Sequence, residues 1–331
     1  MAGAEAYDPR RVSAVVVTWN SASYVEKCLA SLQAQRLRPV QVVVVDNGST
    51  DASARLAQDA GAEVLEAGRN LGFCRANNLG WERARGGAVL FVNPDVVLDP
   101  DYLECATREL AAGARVGLVA GKLLRFDGAT LDSAGQLLAR SRRTIERGYG
   151  EPDEGHFDQA GPIFSVCGAA ALYRRAALEQ IAPDGEVFDE DFFAFHEDLD
   201  LGWRAQRMGW KGRYVPEARG LHFRGSTDPG IRASEPRRAR LRTLSNDLAY
   251  HAVKNRYLAM IKNDALGAVL RDLPFILGRE ALLWGYLALA RPRVGWRVLR
   301  DGATRRRAWR RRRELAAWRA ASRVAALENS A

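Results

Sequence analysis

Four short polar clusters in the first half of the sequence carry side-chain types that bind nucleotides and cations. They are Thr18-Trp19-Asn20, Asp46 to Asp51, Arg69 to Gly72, and Asn93-Pro94-Asp95. Each cluster follows an apolar run, and in an open parallel sheet ligands bind where the strands end. One polar cluster at a strand end is common in any loop. Four of them, dense in Asp and Asn, predict a nucleotide site at one sheet edge.

The apolar runs that must position these clusters are rich in β-branched residues, as expected for strands buried on both faces. They occupy residues 12–17, 40–46, 62–67 and 88–93. Helical patterns lie between them: Ser23 and Glu26 have the spacing of a capping box, and Asp99 or Asp101 is placed to cap the next helix. This alternation predicts a Rossmann-like α/β fold, a mostly parallel sheet with flanking helices.

The second half of the chain has a less regular pattern than the first. Residues 121–165 are polar and rich in turn formers, which predicts loops lying over the sheet. Residues 164–178 have the pattern of a strand entering a helix, and residues 196–210 form an amphipathic helical pattern. Beyond Ser245 every segment is helical in pattern and increasingly basic.

Composition limits the classes of protein that remain. The chain carries a net charge of +9, with a large excess of Arg between positions 291 and 323, which indicates an anionic partner. Its cysteines are widely spaced without a CxxC pair, which argues against a zinc site and a disulfide framework. No secretion signal is recognised, and charges interrupt the apolar stretch 265–290. We therefore expect a cytoplasmic protein that is soluble or lies on a membrane.

A dinucleotide-binding enzyme would share this strand–helix alternation, together with an acidic residue after its second strand, where Asp46 stands. Its first turn, however, requires glycines so that the backbone can approach a pyrophosphate. The corresponding turn here is TWNSASY, which contains no glycine. The sequence therefore argues against a dehydrogenase.

Six motifs between residues 11 and 230 match one family in their order. They are VVVTWNSASYVEKCLASL, VVVVDNGSTD, NLGFCRANNLG, FVNPDV, CGAAALYRR and FDEDFFAFHEDLDLGWRAQRMGW. Together they resemble the family 2 glycosyltransferases of the GT-A fold, and most of all the bacterial rhamnosyltransferase-like enzymes. The resemblance implies a GT-A domain at 11–245, after a flexible segment 1–10. It also implies transfer of a sugar from a nucleotide diphosphate donor to a glycan or lipid-linked acceptor in cell-surface polysaccharide synthesis.

The resemblance further implies roles in binding the nucleotide sugar. Thr18 would meet the nucleotide through its backbone, and Asp46 would accept the imide N–H of a uracil or thymine ring. Asn70 and Asn77 would line the base and ribose pocket. Two alternatives stay open, namely Asp46 as a turn-forming residue and Asn77 as a polar residue on a solvated helix face. The other members of the expected nucleotide-sugar site are Asn20, Gly72, Asn93 and Arg224.

Asp95 matches the last aspartate of the family's DxD metal motif, whose first position is Asn93 here. Because a neutral amide replaces one charged ligand, the motif relies on Asp95 alone. The resemblance supplies His222 as a second ligand for Mg²⁺ or Mn²⁺, and donor phosphates would complete the coordination. The alternatives are that His222 only hydrogen-bonds a core neighbour, and that Arg224 and Ser226 are loop residues rather than phosphate contacts.

Glu197 and Asp198 open the helix predicted in residues 196–210. Carboxylates in a first helical turn are stabilised by the helix dipole, and that effect alone would account for both residues. The resemblance implies that Asp198 is the general base that takes the proton of the acceptor hydroxyl, with Glu197 as the alternative. Displacement in a single step would invert the anomeric centre.

Residues 246–331 lie outside the strongest resemblance and alternate aromatic residues with Arg clusters. This makeup is typical of helices on anionic membranes, where a lipid-linked acceptor would be presented. The alternative is a solvated bundle that packs on the catalytic domain or on a second subunit, as in a homodimer. No motif supports nucleic-acid binding. Three functions stay open: a dTDP-rhamnose-dependent transferase, a transferase using UDP-hexose or UDP-N-acetylhexosamine, and a catalytically silent nucleotide-sugar-binding scaffold.

Overall fold

The computed structural model describes residues 7–224 and 240–328, so Ser226 and the first six residues lie outside the described parts of the chain. The strands are β1 (Val12–Thr18), β2 (Gln41–Asp46), β3 (Glu63–Glu66), β4 (Ala88–Val92), β5 (Val96–Leu98), β6 (Val116–Arg125), β7 (Leu131–Ser133), β8 (Gln136–Leu138), β9 (Thr144–Glu146), β10 (Gly161–Ile163), β11 (Ala170–Arg174) and β12 (Lys211–His222). The helices are α1 (Val25–Gln33), α2 (Ser53–Asp59), α3 (Phe73–Arg83), α4 (Tyr102–Ala112), α5 (Arg175–Ile181), α6 (Glu197–Arg207), α7 (Arg240–Thr243), α8 (Asn246–Asn263), α9 (Leu266–Ala290), α10 (Pro292–Arg300) and α11 (Gly302–Glu328), with a 3-10 turn at Glu190–Phe192.

The four predicted apolar runs form β1 to β4, and these strands are all parallel in the order β3-β2-β1-β4. Every residue of β1 is buried. Alternate side chains of β1 pack on opposite sides, Val16 in the cluster that contains α1 residues and Val15 in the cluster that contains α3 residues. Helices on both faces explain why these strands are continuously apolar rather than alternating.

The mostly parallel sheet is confirmed. The central strand β11 and the short strands β5, β7 and β10 run against the other six described strands. Within the described residues ten strands form this sheet, with the path β10-β12-β6-β11-β4-β1-β2-β3 and with β5 and β7 paired at its side. β11 is antiparallel to both β4 and β6, and β12 is parallel to β6. The predicted strand-to-helix passage at 164–178 is β11 followed by α5, and the predicted helix at 196–210 is α6.

The prediction of loops over residues 121–165 is wrong in part. β6 extends into it with every residue buried, and β7 to β10 follow. Two cationic residues interrupt the apolar pattern of β6, so the sequence does not mark its second half as a buried strand. Lys122 is fully buried against two aspartates, and the guanidinium of Arg125 lies 4.5 Å from the centroid of the Tyr149 ring.

Of the predicted helix caps, only Asp101 takes an N-cap position, and neither helix has a side-chain capping hydrogen bond. Tyr24 takes the N-cap position of α1, so Ser23 and Glu26 lie inside or before the first turn without the geometry of a capping box. Asp101 takes the N-cap position of α4, but its carboxylate forms an ion pair with an arginine that follows α1. Asp99 contributes its backbone carbonyl to the start of that helix.

The segment beyond Ser245 is helical as predicted, and α8 packs against α6, α10 and α11. By length and composition α9 could cross a membrane, and 11% of its most apolar window is buried. This differs from the expectation that charged residues exclude a span at 265–290. Length and composition alone do not establish that α9 spans a bilayer, because core helices of soluble proteins pass the same test.

Candidate active site

The carboxyl ends of β1, β2, β4, β6 and β12 lie at one edge of the sheet, because these strands all run in the same direction. Thr18 and Asp46 end β1 and β2, Asp95 follows β4, and His222 ends β12. The structure therefore brings together predicted site residues from both halves of the chain. The position of His222 could be seen only once β12 was known to be parallel to β6.

Thr18 and Asp46 keep hydrogen-bonding capacity at this edge. Oδ2 of Asp46 accepts the backbone N–H of Ser49 at 3.1 Å, so Asp46 does shape the turn, as the alternative prediction proposed. Its Oδ1 is buried and has no hydrogen-bond partner among the described residues, and the same is true of the Thr18 hydroxyl. Buried polar atoms are usually paired, so both atoms are candidates for contact with a ligand.

Asn20, Asn70 and Gly72 build the loops beside these two residues. The side-chain oxygen of Asn20 accepts the backbone N–H of Thr50 at 2.8 Å, and that of Asn70 accepts the N–H of Gly72 at 2.9 Å. Gly72 has a φ of +86°, and a Cβ there would lie 2.4 Å from the Phe193 ring. Glycine is therefore required both by the backbone and by close packing. These residues hold loop geometry, and their contacts with a donor stay predictions.

Asn77 lies on α3 below the same loops. It is 2% exposed, and its side-chain amide donates to the carbonyl of Phe73 one turn earlier at 2.9 Å. The alternative that Asn77 stands on a solvated helix face is therefore wrong. A contact between Asn77 and a ribose stays a prediction.

Asp95 and His222 face each other in a nearly fully buried position. Nε2 of His222 lies 3.4 Å from Oδ1 of Asp95, and Nδ1 lies 2.8 Å from Oδ2 of Asp132 on the other side of the ring. A carboxylate behind the imidazole is usual at metal-binding histidines, because it fixes the ring and leaves Nε2 for the ion. The alternative role, a hydrogen bond to a buried neighbour, is also present here.

These two side chains fit a divalent cation as a pair of protein ligands. No group of three or more His, Cys, Asp or Glu residues that could hold an ion occurs within residues 7–224 and 240–328. A six-coordinate ion would then need oxygens from elsewhere, and the phosphates of a bound nucleotide are oxygen ligands of the right kind. This donor set agrees with the expectation that metal and donor bind together, which stays a prediction.

The charges around His222 favour its protonated form. Burial alone would lower the pKa of His222, but the carboxylates of Asp132 and Asp95 outweigh that effect and raise it to about 9. Burial alone would raise the pKa of Asp132, yet His222 and Arg224 hold it well below its usual range. A cation that bound Nε2 would have to displace this proton.

Arg224 is held by the same carboxylate as His222. Its Nε donates to Oδ1 of Asp132 at 2.5 Å, and its guanidinium lies 4.9 Å from the centroid of the Tyr149 ring. The backbone of Arg224 is left-handed, with φ of +54°. Asp132 thus orients two residues of the predicted site, and the contact of Arg224 with a phosphate stays a prediction.

Glu197 and Asp198 open α6, where the sequence pattern placed them. Oδ2 of Asp198 accepts the side-chain amide of Gln136 at 2.7 Å and the backbone N–H of Gly168 at 3.1 Å. A Cβ on Gly168 would lie 3.5 Å from Oε1 of Glu197 and 3.7 Å from Oδ2 of Asp198. Both carboxylates therefore border this glycine.

Gly168 connects these carboxylates to the end of the site that holds Asp95. The next residue, Ala169, accepts the backbone N–H of Asn93 at 2.8 Å, and Asn93 lies two residues before Asp95. Asp198 and Asp95 consequently approach the same sheet edge from α6 and from β4. Asn93, whose side chain is half-buried, stands at the position where the family motif has a carboxylate.

Sequence reasoning missed Asp132, Gln136 and Gly168 as site residues. Asp132 and Gln136 lie on β7 and β8, short strands in the segment that was predicted as loops. A lone Asp and a lone Gln there carry no spacing signal that identifies a site. Gly168 stands inside the motif CGAAALYRR, which did mark its neighbourhood.

Comparison with known proteins agrees with this geometry. The family model described as Glycosyl transferase family 2 matches residues 13–182, more than half of the chain. The chain belongs to glycosyl transferase family 2. This glycosyltransferase is 31% identical over 241 residues to the N-acetylglucosaminyl-diphospho-decaprenol L-rhamnosyltransferase of Mycobacterium tuberculosis, an alignment that covers 63% of this chain and 75% of the relative. The predicted similarity to rhamnosyltransferase-like enzymes is confirmed.

Solved structures confirm the GT-A fold of the glycosyltransferase. Staphylococcus aureus TarS 1-349 in complex with UDP-GlcNAc superposes with a TM-score of 0.55 at 18% identity, covering 90% of this chain and 78% of TarS. The mannosyltransferase PcManGT of Pyrobaculum calidifontis, in complex with GDP-Man and Mn²⁺, superposes with a TM-score of 0.51 at 17% identity. That superposition covers 93% of this chain and 85% of PcManGT. At these identities the likeness concerns the fold alone.

Proposed function

We propose that this glycosyltransferase moves a sugar from a nucleoside diphosphate donor to a glycan or lipid-linked acceptor, with inversion of the anomeric centre. The observation that carries the proposal is the position of Asp198. Its carboxylate is held by Gln136 and Gly168 at the sheet edge that also carries Asp95 and His222. One base beside a donor site is sufficient for a direct displacement, because the attacking hydroxyl must lose a single proton.

Each residue would have a distinct task in this reaction. Asp198 would take the proton of the acceptor hydroxyl as its oxygen bonds to the anomeric carbon, and Glu197 is the alternative base. Asp46 would accept the imide N–H of the donor base through Oδ1. Asp95 and His222 would hold Mg²⁺ or Mn²⁺, and a bound divalent ion would stabilise the charge of the departing diphosphate.

We propose L-rhamnose from dTDP-rhamnose as the transferred sugar. The Mycobacterium tuberculosis relative, an L-rhamnosyltransferase with a polyprenyl diphosphate acceptor by its name, supports this choice and a lipid-linked acceptor. A UDP-hexose or UDP-N-acetylhexosamine donor is the second candidate, since TarS was solved with UDP-GlcNAc. A silent nucleotide-sugar-binding scaffold is the third, because Asn93 stands where the family has a metal-binding carboxylate.

Donor screening tests this proposal. We expect dTDP with Mn²⁺ to raise the melting temperature more than UDP or GDP with Mn²⁺, because a ligand that binds only the folded state stabilises it. Sugar transfer from dTDP-rhamnose to a polyprenyl diphosphate glycan should then require the metal and stop when EDTA is added. Stabilisation by UDP alone would favour the second candidate. Nucleotide binding without turnover for any donor would favour the scaffold.

Substitution of the two carboxylates identifies the base. We expect Asp198→Asn to lower kcat by at least about 100-fold while the Kd for the donor nucleotide stays within about threefold of wild type. Glu197→Gln is the matched control, because its carboxylate borders the same glycine. Normal turnover by Asp198→Asn, with loss of turnover in Glu197→Gln, would move the base assignment to Glu197.

We also propose that α9 to α11 lie on the cytoplasmic face of an anionic membrane, as an accessory segment of the 11–245 GT-A domain. The carboxylates of α9 are turned inward, since Asp272 binds Arg142 and Glu280 binds Arg256. Apart from the exposed Arg271, its outer surface is largely apolar, and the large exposed hydrophobic side chains are Leu266, Leu270, Leu273, Phe275, Leu277, Leu282 and Leu289. An apolar surface next to an Arg-rich segment has the chemistry of an anionic lipid interface.

A further inference from the structure

The segment that leads into α6 has an unusual backbone. The φ values of Phe193, Phe195 and His196 are +65°, +71° and +64°, although none of these residues is glycine. Left-handed backbone is disfavoured for such residues, and it persists only where the surrounding structure enforces it. Glu197 and Asp198 follow immediately, so the direction in which these carboxylates enter the site depends on this segment.

Phe193 is the centre of a tight γ-turn. Its φ and ψ are +65° and −59°, and the N–H of Ala194 donates to the carbonyl of Phe192 at 2.8 Å. This form of γ-turn is rare and strained. The turn also touches the nucleotide side of the site, because the Phe193 ring packs against Gly72 and its carbonyl accepts the N–H of Cys74 at 3.2 Å.

Asn255 of α8 holds this strained segment through three backbone carbonyls. Its side-chain amide donates to the carbonyl oxygens of Phe192 at 2.8 Å, Ala194 at 2.6 Å and Phe195 at 2.8 Å. The side chain is fully buried. All three partners are acceptors, so the amide nitrogen must face them, and its two N–H groups are shared among the three bonds.

Neighbours of Asn255 on α8 support the same turn from other directions. His251, one helical turn earlier, stacks on the Phe193 ring with centroids 4.9 Å apart. Lys254 donates to the carbonyl of Asp191. Asn255 differs from both because it alone of the three binds the carbonyls on each side of Phe193 and reaches the residue next to His196.

We propose that Asn255 is a positioning residue for glycosyl transfer. It holds residues 192–195 in the strained conformation that aims Asp198 at the acceptor hydroxyl. The assignment rests on the proposed function, because it presumes that Asp198 acts as the base. It also places a residue required for transfer in the segment 246–331, outside the part of the chain that matches the family model. Without these bonds the segment would relax towards ordinary φ values and turn the start of α6.

The test compares Asn255→Leu with a matched variant, Asn78→Leu. Asn78 is also buried, donates to the carbonyl of Phe188 at 2.8 Å and to the carboxylate of Glu190 at 3.2 Å, and accepts the N–H of Phe188 at 2.9 Å. These partners precede residues 192–195, which Asn255 holds. Both variants lose hydrogen bonds of a buried side-chain amide, so their melting temperatures should fall by similar amounts. Assays are run with full-length protein well below both melting points, so that the folded fraction is the same.

We expect Asn255→Leu to lower kcat by about 100-fold with a donor-nucleotide Kd within about threefold of wild type, whereas Asn78→Leu keeps kcat within about threefold. The acid limb of the pH profile of kcat/KM should shift in Asn255→Leu alone, because the surroundings of the base change. Asn255→Asp, with the same shape but an acceptor oxygen facing three carbonyls, should lose activity as well. It serves as the second variant if the leucine variant does not fold.

The outcomes separate this role from the proposed function. Equal kcat and an unchanged pH profile in Asn255→Leu and wild type would overturn the positioning role and leave the proposed function standing. Equal loss of kcat in Asn255→Leu and Asn78→Leu would reduce Asn255 to a contributor to stability and overturn the assignment. Absence of transfer by the wild type with every donor would overturn the proposed function, and the positioning role with it.

Discussion

At the scale of single residues, the buried carboxylate of Asp132 orients two cationic side chains, those of His222 and Arg224. It is fully buried, and it forms ion pairs with His222 at 2.8 Å and Arg224 at 2.5 Å. A buried carboxylate without such partners would be strongly destabilising. The pairs therefore account for the burial of Asp132, and they fix the imidazole and the guanidinium at the same time.

Replacing Asp132 with Asn should lower the affinity for the metal ion while the protein still folds. The variant keeps the shape of the side chain but removes the charge that orients the imidazole of His222. We expect the Mn²⁺ concentration for half-maximal transfer to rise by about 10–100-fold, the usual effect of losing a carboxylate behind a metal-binding histidine. A metal titration of transfer activity at saturating donor measures this change.

Asp127→Asn is the control for this titration. Asp127 is an exposed carboxylate near the start of β7, where it accepts the hydroxyl and backbone N–H of Thr130. It should leave the metal dependence of transfer unchanged. An unchanged metal dependence in Asp132→Asn as well, with both proteins folded, would show that Asp132 does not serve the metal site.

Some residues of the candidate site could be predicted from the local sequence pattern, and others could not. Thr18, Asp46 and Asp95 follow apolar runs, so the rule that ligands bind at strand ends was enough to group them. His222 ends a strand that could not be placed in the sheet from its own sequence, and its role came from the family resemblance. Asp132 reaches the site only through the pairing of β7 with β6, which no local pattern encodes.

At the scale of elements, the apolar strands were predictable and the polar ones were not. β1 to β4 are apolar because both faces are covered, and apolar runs bounded by turn residues identify such strands. β6 is equally buried but contains Lys122, whose charge is neutralised by Asp153 and Asp158. These partners lie far along the chain, so the sequence pattern suggested a polar loop where the structure has a core strand.

α8 contains a histidine that makes stability depend on pH. Burial lowers the pKa of His251, Lys254 and Arg297 lower it further, and the backbone of Phe192 and the carboxylate of Asp247 oppose them only in part, which brings it to about 4. The ordinary value is 6.5, so the folded protein binds fewer protons here than the unfolded chain. The resulting stabilisation is complete above pH 6.5 and is lost as pH falls from 6.5 towards 4.

Replacing His251 with Phe should remove this pH dependence and keep the stacking on Phe193. We expect the free energy of unfolding of the wild type, relative to His251→Phe, to fall by about 1–2 kcal/mol between pH 7 and pH 4, because water at the partly exposed ring screens part of the effect. Urea unfolding of both proteins at intervals across this range measures the difference. Parallel curves for the two proteins would show that His251 is not the group responsible.

At the scale of the whole molecule, the C-terminal helices are attached to the segment that carries the proposed catalytic carboxylates, Glu197 and Asp198. Lys262 of α8 binds Asp189 at 2.6 Å and Asp200 at 2.9 Å, all three buried. Arg307 of α11 binds Asp191 at 2.7 Å. These contacts surround residues 189–200, so the inner side of the helical segment supports the site while α9 keeps an apolar outer side.

The apolar outer side of α9 can be tested with lipid vesicles. We expect the protein to sediment with vesicles that contain phosphatidylglycerol and to bind phosphatidylcholine vesicles less. The double variant Leu270→Gln, Leu277→Gln should weaken binding at least about tenfold, because each leucine removed from water contributes about 1.5–3 kcal/mol. Val40→Gln is the control, since Val40 is 49% exposed and precedes β2, where its N–H donates to the carbonyl of Val12 in β1.

Salt distinguishes a helix that lies on the membrane from one that crosses it. Arg-rich helices at the surface are held partly by headgroup charge, so raising salt from about 0.1 to 0.5 M should release much of the bound protein. A spanning α9 would resist such extraction, because transfer of its apolar side chains back to water does not depend on salt.

If the leucine variants instead converted a dimer to a monomer without changing vesicle binding, the apolar side of α9 would be a subunit interface. The inward ion pairs of Asp272 and Glu280 favour the surface position, because a helix crossing the bilayer would have to separate both carboxylates from their arginine partners.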